Sequence, residues 1–318
     1  MSVSELANLN VLDPRFLPVH FFTPIIHQKP SPVIDPASNR LPTPFHVCII
    51  GASRGIGAGI ATAYAKAGAS VLVLAARNID KLNVIAAEVR AISPLSTTVH
   101  IHACDIASAT SVKELAEFSK SVLPSSRLDV VVVNSGVTGT VELKITDGDA
   151  EQGDWEEVFK TNTLGAYYAA HYFVPILLAS PEGSAKSFLA VGTLTSLLTK
   201  GVGANPKYGT SKMAQARIVE HVSEQFGEEG LLSVTVHPGG VQTDMSKHAS
   251  PEALKYMTDD VGLCGAFCVW LTKNYRELKW LNGRLVSACW DPQELLAKKE
   301  EVVRGDLLKF ELGTSRQT

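Results

Sequence analysis

The sequence predicts an α/β fold: a single doubly wound, parallel sheet of about seven strands with helices on both faces. Three observations carry this. Seven short runs rich in aliphatic and β-branched residues, HVCII, SVLVLA, TVHIHAC, LDVVVVN, SFLAVG, LLSVTVH and GRLVSA, recur along residues 46–288 with helical stretches between them. Most are apolar on both faces, the pattern of strands covered by helices on each side. The first run passes straight into a glycine-rich turn, and ligands of such sheets bind at the carboxyl ends of the strands.

Composition narrows the classes. At 318 residues, 45% hydrophobic and 19% charged, the chain is expected to form a packed globule. A net charge of -3 carries no basic footprint, so nucleic acid is not expected as a partner. The five cysteines (48, 104, 264, 268 and 289) are an odd, scattered set, expected to be buried thiols in a reducing, cytoplasmic setting. Cys264 and Cys268 are four apart with no second ligand pair, so no metal is expected.

Residues 1–45 read as a proline-rich arm, with eight prolines between Pro14 and Pro44. Glu5 and Asp13, without a basic region, argue against a targeting signal. FLPVHFFTPII is apolar enough to lie along the body of the protein. The domain proper is expected over 46–290, followed by a helical, charged tail at 291–318.

After the first strand, IIGASRGIGAGIATAYAKAG places glycines at 51, 55 and 57. Gly51 and Gly55 can take turn geometry, Gly57 lets helix and strand approach, and the helix N-terminus then faces an anion. This is a dinucleotide turn by mechanism. The second strand ends LAARN, placing Arg77 where an NAD-selective fold carries an acid; with Arg54 it can bracket a 2'-phosphate, so NADP(H) is the expected cofactor. The third strand ends in CDIAS, where Asp105 either contacts the adenine or starts the next helix as a cap.

The uncharged run from Thr161 to Pro181 contains His171 and Pro175 and sits inside the α/β alternation. It reads as a helix buried against the sheet or a partner subunit, not a membrane span. After the fifth strand, Tyr208 and Lys212 are i,i+4 on one face of a helix predicted from about Pro206. A phenol needs help to exchange protons near neutral pH; Lys212 and an oxidised nicotinamide ring are expected to lower its pKa by roughly three units.

GASRGIG, CDI, VNSG, YGTSK and HPGGVQTDM together make residues 45–290 resemble the short-chain dehydrogenase/reductase family of classical type. The arm HQKPSPVIDP and the tail WLNGRLVSACWDPQELLAKKEE resemble a fungal subgroup of it. The resemblance implies a Rossmann-type domain and hydride transfer between nicotinamide and a carbonyl or alcohol carbon. It implies Tyr208 as general acid, Lys212 on the ribose and tuning Tyr208, and Asn162 (in VFKTNTLGAYY) holding a relay water. The cofactor would contact Gly51, Ser53, Arg54, Gly55, Ile56 and Gly57, then Arg77, Asp105, Ile106, Asn134 and Gly136, and finally Pro238, Gly239, Val241 and Thr243, besides Tyr208 and Lys212.

Three departures stand out. Ile50 replaces the usual threonine, VNSG replaces NNAG, and GTLTS carries no serine at the position thirteen before Tyr208, where Thr195 stands. Strand register instead selects Thr193, with the loop TKGVGANPK absorbing two residues. Register ranks Thr193 first, Thr195 second and Ser196 third; the alternative is that all three satisfy strand-end backbone groups.

The segment SKHASPEALKYMTDD reads as a flap, with Met245, His248, Tyr256 and Met257 as candidate lining. The family usually pairs through helices that correspond to 155–180 and 206–228, so a homodimer or homotetramer is expected. Two other functions stay open: a non-redox isomerase or dehydratase using the same site, and an NADP-binding sensor without turnover. A fungal resemblance implies a secondary-metabolite ketone as substrate.

Overall fold

The computed structural model describes residues 16–93 and 97–312. Seven strands form one sheet: β1 (His46–Ile50), β2 (Val71–Ala76), β3 (Thr98–Ala103), β4 (Val130–Val133), β5 (Ser187–Val191), β6 (Leu232–His237) and β7 (Leu285–Ser287). Every neighbouring pair is parallel, in the order β3-β2-β1-β4-β5-β6-β7. The order reverses between β1 and β4, the crevice where a doubly wound sheet binds its ligand.

Six longer helices cover the sheet: α1 (Gly55–Ala67), α2 (Ile79–Ile92), α3 (Ala109–Val122), α4 (Gly165–Ala179), α5 (Pro206–Phe226) and α6 (Leu263–Lys273). Alternation along each strand decides which layer a residue joins. Val47 and Ile49 pack with α1, α2 and α6 on one face, whereas Cys48 and Ile50 pack with α3, α4 and α5 on the other. Both faces are therefore apolar, which is why the strand runs lacked alternation. All five cysteines are buried free thiols within these layers. Of the uncharged run, Phe173, Val174 and Leu177 are buried, while Leu164 and Tyr167 are exposed. Among the described residues no helix is long and apolar enough to cross a membrane.

Residues 16–45 are laid against the domain. A short helix, Phe16–His20, packs on the Leu194–Leu197 turn after β5. Ile26 then makes an antiparallel bridge with Trp290. Beyond Asp291 the tail forms two short helices, Pro292–Ala297 and Lys299–Gly305.

Candidate active site

The glycine turn is built by close approach. Gly51 has φ +96°, and a Cβ there would stand 2.6 Å from the Ser135 amide; one on Gly57 would stand 2.0 Å from the Gly51 carbonyl. Asn134 braces the turn from β4, its Nδ2 donating to Gly51 O at 2.8 Å. The Gly51 and Ala52 amides both donate to Ala75 O (2.7 and 3.1 Å), which pins the turn against the end of β2, two residues before exposed Arg77. Arg54, the N-cap of α1, makes no side-chain capping bond, so the first amides of α1 stay open to an anion. This cradle fits the pyrophosphate of a dinucleotide.

Arg54 itself is already ion-paired, Nη1 to Asp244 Oδ2 at 2.7 Å, and Lys247 shares that carboxylate. Of the two arginines expected to bracket a 2'-phosphate, Arg54 is thus already paired, while Arg77 is exposed. Asp105 is exposed and accepts from Ala107 N at 3.1 Å; the cap of α3 is Ser108, not Asp105. Ile106 is buried under α4, where a Cβ on Gly165 would meet its Cγ1 at 2.8 Å. Ser53 sits part-exposed in the turn.

Tyr208 lies in the first turn of α5, whose start is preset by Pro206. Burial pushes its phenol up to about 12, and the neighbouring Thr193 hydroxyl works against that. Lys212, one turn on and buried, donates from Nζ to Val191 O (2.9 Å) and Gln215 Oε1 (3.1 Å); burial holds its pKa down at about 7. The lowering expected from Lys212 together with an oxidised nicotinamide ring needs the cofactor; without it, burial acts on the phenol in the opposite direction. The ammonium that should stabilise a phenolate is itself destabilised by loss of water.

The three hydroxyls of GTLTS separate clearly. Thr193 Oγ1 lies 2.9 Å from Thr195 Oγ1 and accepts from the Thr195 amide at 3.1 Å, and both threonines line the cavity that Tyr208 lines. Ser196 turns away, donating to Thr193 O at 2.6 Å.

Asn162 is fully buried in a single π-helical turn, Lys160–Leu164, just ahead of α4. Its Oδ1 accepts from Val137 N (2.9 Å), and its Nδ2 donates to Val137 O (2.8 Å) and Ser211 Oγ (3.0 Å). Gly136 is where Asn162 and Lys212 converge: a Cβ there would stand 3.2 Å from Asn162 Oδ1 and 3.2 Å from Lys212 Nζ.

A cavity of about 420 Å³ is lined by Ile56, Pro238, Gly239, Val241 and Thr243 together with Tyr208 and Thr193, whereas Lys212, Asn162 and Gly136 do not line it. Thr243 caps the following turn in a reciprocal pair with Ser246. From the flap, Met245, Tyr256 and Met257 line the cavity; the side chain of His248 lies outside what is described.

A short chain dehydrogenase family model matches residues 45–254. The chain belongs to the short-chain dehydrogenase/reductase family. It is 35% identical to the short chain dehydrogenase pgmD of Aspergillus terreus over 314 residues, 95% of this chain and 98% of that one. It is 36% identical to andI of Emericella variicolor over 269 residues, covering 83% and 87%. Among solved structures, the RhlG/NADP active-site complex of Pseudomonas aeruginosa superposes with a TM-score of 0.67 at 20% identity, over 78% of this chain and 96% of that one. A 7 alpha-hydroxysteroid dehydrogenase complexed with NADH and 7-oxo glycochenodeoxycholic acid gives 0.66 at 21%, over 80% and 95%. These likenesses place the fold; membership of the family makes the chain an NAD(P)-dependent oxidoreductase of small molecules.

Within this short-chain dehydrogenase, several site neighbours escaped the sequence reading. His237 ends β6 and lines the cavity, with Nδ1 accepting from the Leu194 amide at 3.3 Å; burial holds its pKa down at about 3. Its place before Pro238-Gly239 was the available signal. Lys207 is buried beside Tyr208 and pairs with Glu142 (3.0 Å) and Asp154, tying down the loop that carries cavity residues Thr138 and Val141. No local pattern marks that contact, which joins residues 53 or more apart in sequence.

Proposed function

We propose that this enzyme is an NADPH-dependent ketoreductase. The carrying observation is that Thr193 and Tyr208 line one cavity, which also reaches Pro238, Gly239 and Ile56 of the cofactor side. The bound dinucleotide supplies the hydride. Thr193 donates a hydrogen bond to the substrate carbonyl oxygen and holds it against the phenol. As the carbonyl carbon is reduced, its oxygen becomes an alkoxide and takes the proton of Tyr208 Oη, leaving an alcohol and a phenolate. A phenol with its pKa raised stays protonated at neutral pH, and an alkoxide is basic enough to take its proton. The phenolate regains its proton from solvent, and Lys212, one helical turn on, would bind the ribose and tune the phenol.

Arg77, exposed beside the glycine turn with no carboxylate in its place, favours NADPH over NADH. Asn162 holds the segment at Val137 and faces Lys212 across Gly136, the position from which it would keep a relay water. The relatives pgmD and andI come from fungi, which agrees with a biosynthetic ketone as substrate. Exposed Leu164, Tyr167 and Met213, on and beside α4 and α5, supply an apolar face for a homodimer or homotetramer; a monomer in sedimentation at micromolar concentration contradicts it.

The test is NADPH oxidation over cyclic and aromatic ketones, with NADH in parallel and Tyr208→Phe as control. Turnover lost in the variant supports the reductase. Tight NADPH binding with no turnover on any ketone favours the non-redox or sensor alternatives.

A further inference from the structure

Residues 16–28 do more than cover the domain. Trp290 is fully buried and donates from Nε1 to the carbonyls of Val19 and His20, both at 3.1 Å. Phe22 packs on its indole with ring centres 5.0 Å apart. His27 N donates to Cys289 O at 2.7 Å, and His27 Nε2 pairs with Asp291 at 2.8 Å. Farther along, Gln28 O accepts from the Asp260 amide at 2.7 Å and Gln28 Nε2 donates to Thr258 at 2.6 Å, which ties the arm to the end of the flap. Contacts at four separate points over so short a stretch fix its path.

That path runs along the cavity. Phe16, His20 and Phe21 line the same space as Tyr208 and Thr193. Their rings form one cluster: His20 stacks on Phe16 at 5.2 Å with planes 16° apart, and meets Phe21 edge-on at 4.8 Å. The rest of the lining mixes aliphatic side chains, Val141, Leu198, Val202 and Met245 among them, with polar ones such as Thr138, Asn205 and Tyr256. The imidazoles of His20 and His237 also face this space. Burial lowers the pKa of both, so both are neutral near pH 7 and offer hydrogen bonds without charge.

We propose that the N-terminal arm forms one wall of the substrate site, where Phe16, His20 and Phe21 select a flat, ring-bearing carbonyl compound and His20 is a specificity-determining residue. The proposal rests on the reductase reading of this site. Rings present flat, polarisable faces to a planar ligand, and a neutral imidazole among them suits a hydroxyl or carbonyl substituent better than an ion. A small aliphatic carbonyl reaches Thr193 and Tyr208 without touching this wall.

The experiment compares 2-tetralone with diacetyl as substrates for the full chain and for Phe21→Ala, Phe21→Leu and His20→Phe. Thermal unfolding and NADPH titration establish that each variant is folded. In Phe21→Ala the KM for 2-tetralone should rise on the order of 10–100-fold with kcat little changed, diacetyl staying within about threefold. Phe21→Leu, which keeps bulk but not the flat ring face, should recover only part of the tetralone activity. Replacing His20 by Phe keeps the stack but removes the ring nitrogens, and should impair 1-hydroxy-substituted bicyclic ketones more than 2-tetralone. Equal losses on both substrates, or none, overturn the proposal.

Should the native enzyme reduce neither ketone, 2-tetralone binding to the NADPH complex is measured by calorimetry. Binding that is lost in Phe21→Ala sustains the arm's role while the reductase reading falls. No binding, or binding indifferent to the variant, overturns the arm's role as well.

Discussion

The hydroxyl oxygens of Thr193 and Thr195 stand 2.9 Å apart on the turn after β5 and share a cavity with Tyr208, whose raised phenol pKa the Thr193 hydroxyl works against. Thr193→Val should lower kcat by on the order of 10²–10³, the usual cost of losing one donor at a developing oxyanion. Thr193→Ser should keep the activity, because the hydroxyl is retained and the methyl removed. Ser196→Ala, whose hydroxyl serves the Thr193 carbonyl, should alter stability by about 1 kcal/mol and leave the chemistry in place. Steady-state kinetics on the three variants decide this; a Ser196→Ala enzyme as impaired as Thr193→Val would reassign the donor.

Arg77→Asp should exchange cofactor preference. A lost charge-assisted contact with the 2'-phosphate is worth about 1.5–3 kcal/mol, or roughly 10- to 150-fold in the KM for NADPH. The new carboxylate should at the same time improve NADH through the ribose hydroxyls. Unchanged NADPH kinetics would place the 2'-phosphate elsewhere.

Lys212 makes the cofactor-free protein pH-sensitive. Its pKa is about 7 in the fold against 10.5 in an unfolded chain, so between those values the unfolded chain holds the extra proton. Stability then rises with pH, by up to ~1.4 kcal/mol per unit. The buried thiols oppose this at higher pH: Cys48 at about 12 and Cys104 at about 11, against an ordinary 9.0, keep protons that the unfolded chain loses. The rising limb is thus expected between about pH 7 and 9. Lys212→Met should remove it, raise the Tm at pH 7 and abolish turnover. An unaltered slope in denaturant titrations at pH 7, 8 and 9 would show that Lys212 is not its source.

Lys207→Met tests the clamp beside Tyr208. Lys207 is fully buried, but its partners Glu142 and Asp154 are part-exposed and can rehydrate, so a loss of about 1–3 kcal/mol is expected, below that of a wholly buried pair. Freeing the loop that carries Thr138 and Val141 should raise substrate KM more than it lowers kcat. Denaturant unfolding and substrate kinetics measure the two effects.

Gly57→Ala should be severe, since its Cβ would fall 2.0 Å from the Gly51 carbonyl. Separation of α1 from the turn is expected to cost about 1–3 kcal/mol or more and to weaken dinucleotide binding. Wild-type affinity by NADPH fluorescence titration would show that the turn can yield.

The chain's local chemistry determined the seven strands, the glycine turn and the i,i+4 pair Tyr208 and Lys212, because strand runs, tight turns and helical spacing each depend on residues a few positions apart. Family motifs extended this to Asn162 and the segment from Pro238 to Thr243. Tertiary structure alone decided the rest. Spacing and register disagreed over the hydroxyl, and the loop 197–207 had to be folded before Thr193 and Thr195 came to share a cavity with Tyr208 while Ser196 turned to a backbone carbonyl. Arg54 looked free for a phosphate until Asp244, 190 residues on, was folded beside it. Desolvation, which pushes the Tyr208 phenol up and the Lys212 ammonium down before a cofactor binds, depends on everything packed around the site. The arm was readable as apolar and proline-rich, yet its place on the cavity wall depends on Trp290, 270 residues from His20. Contacts at that separation come from the way the sheet brings the chain's two ends together, which no short window of sequence contains.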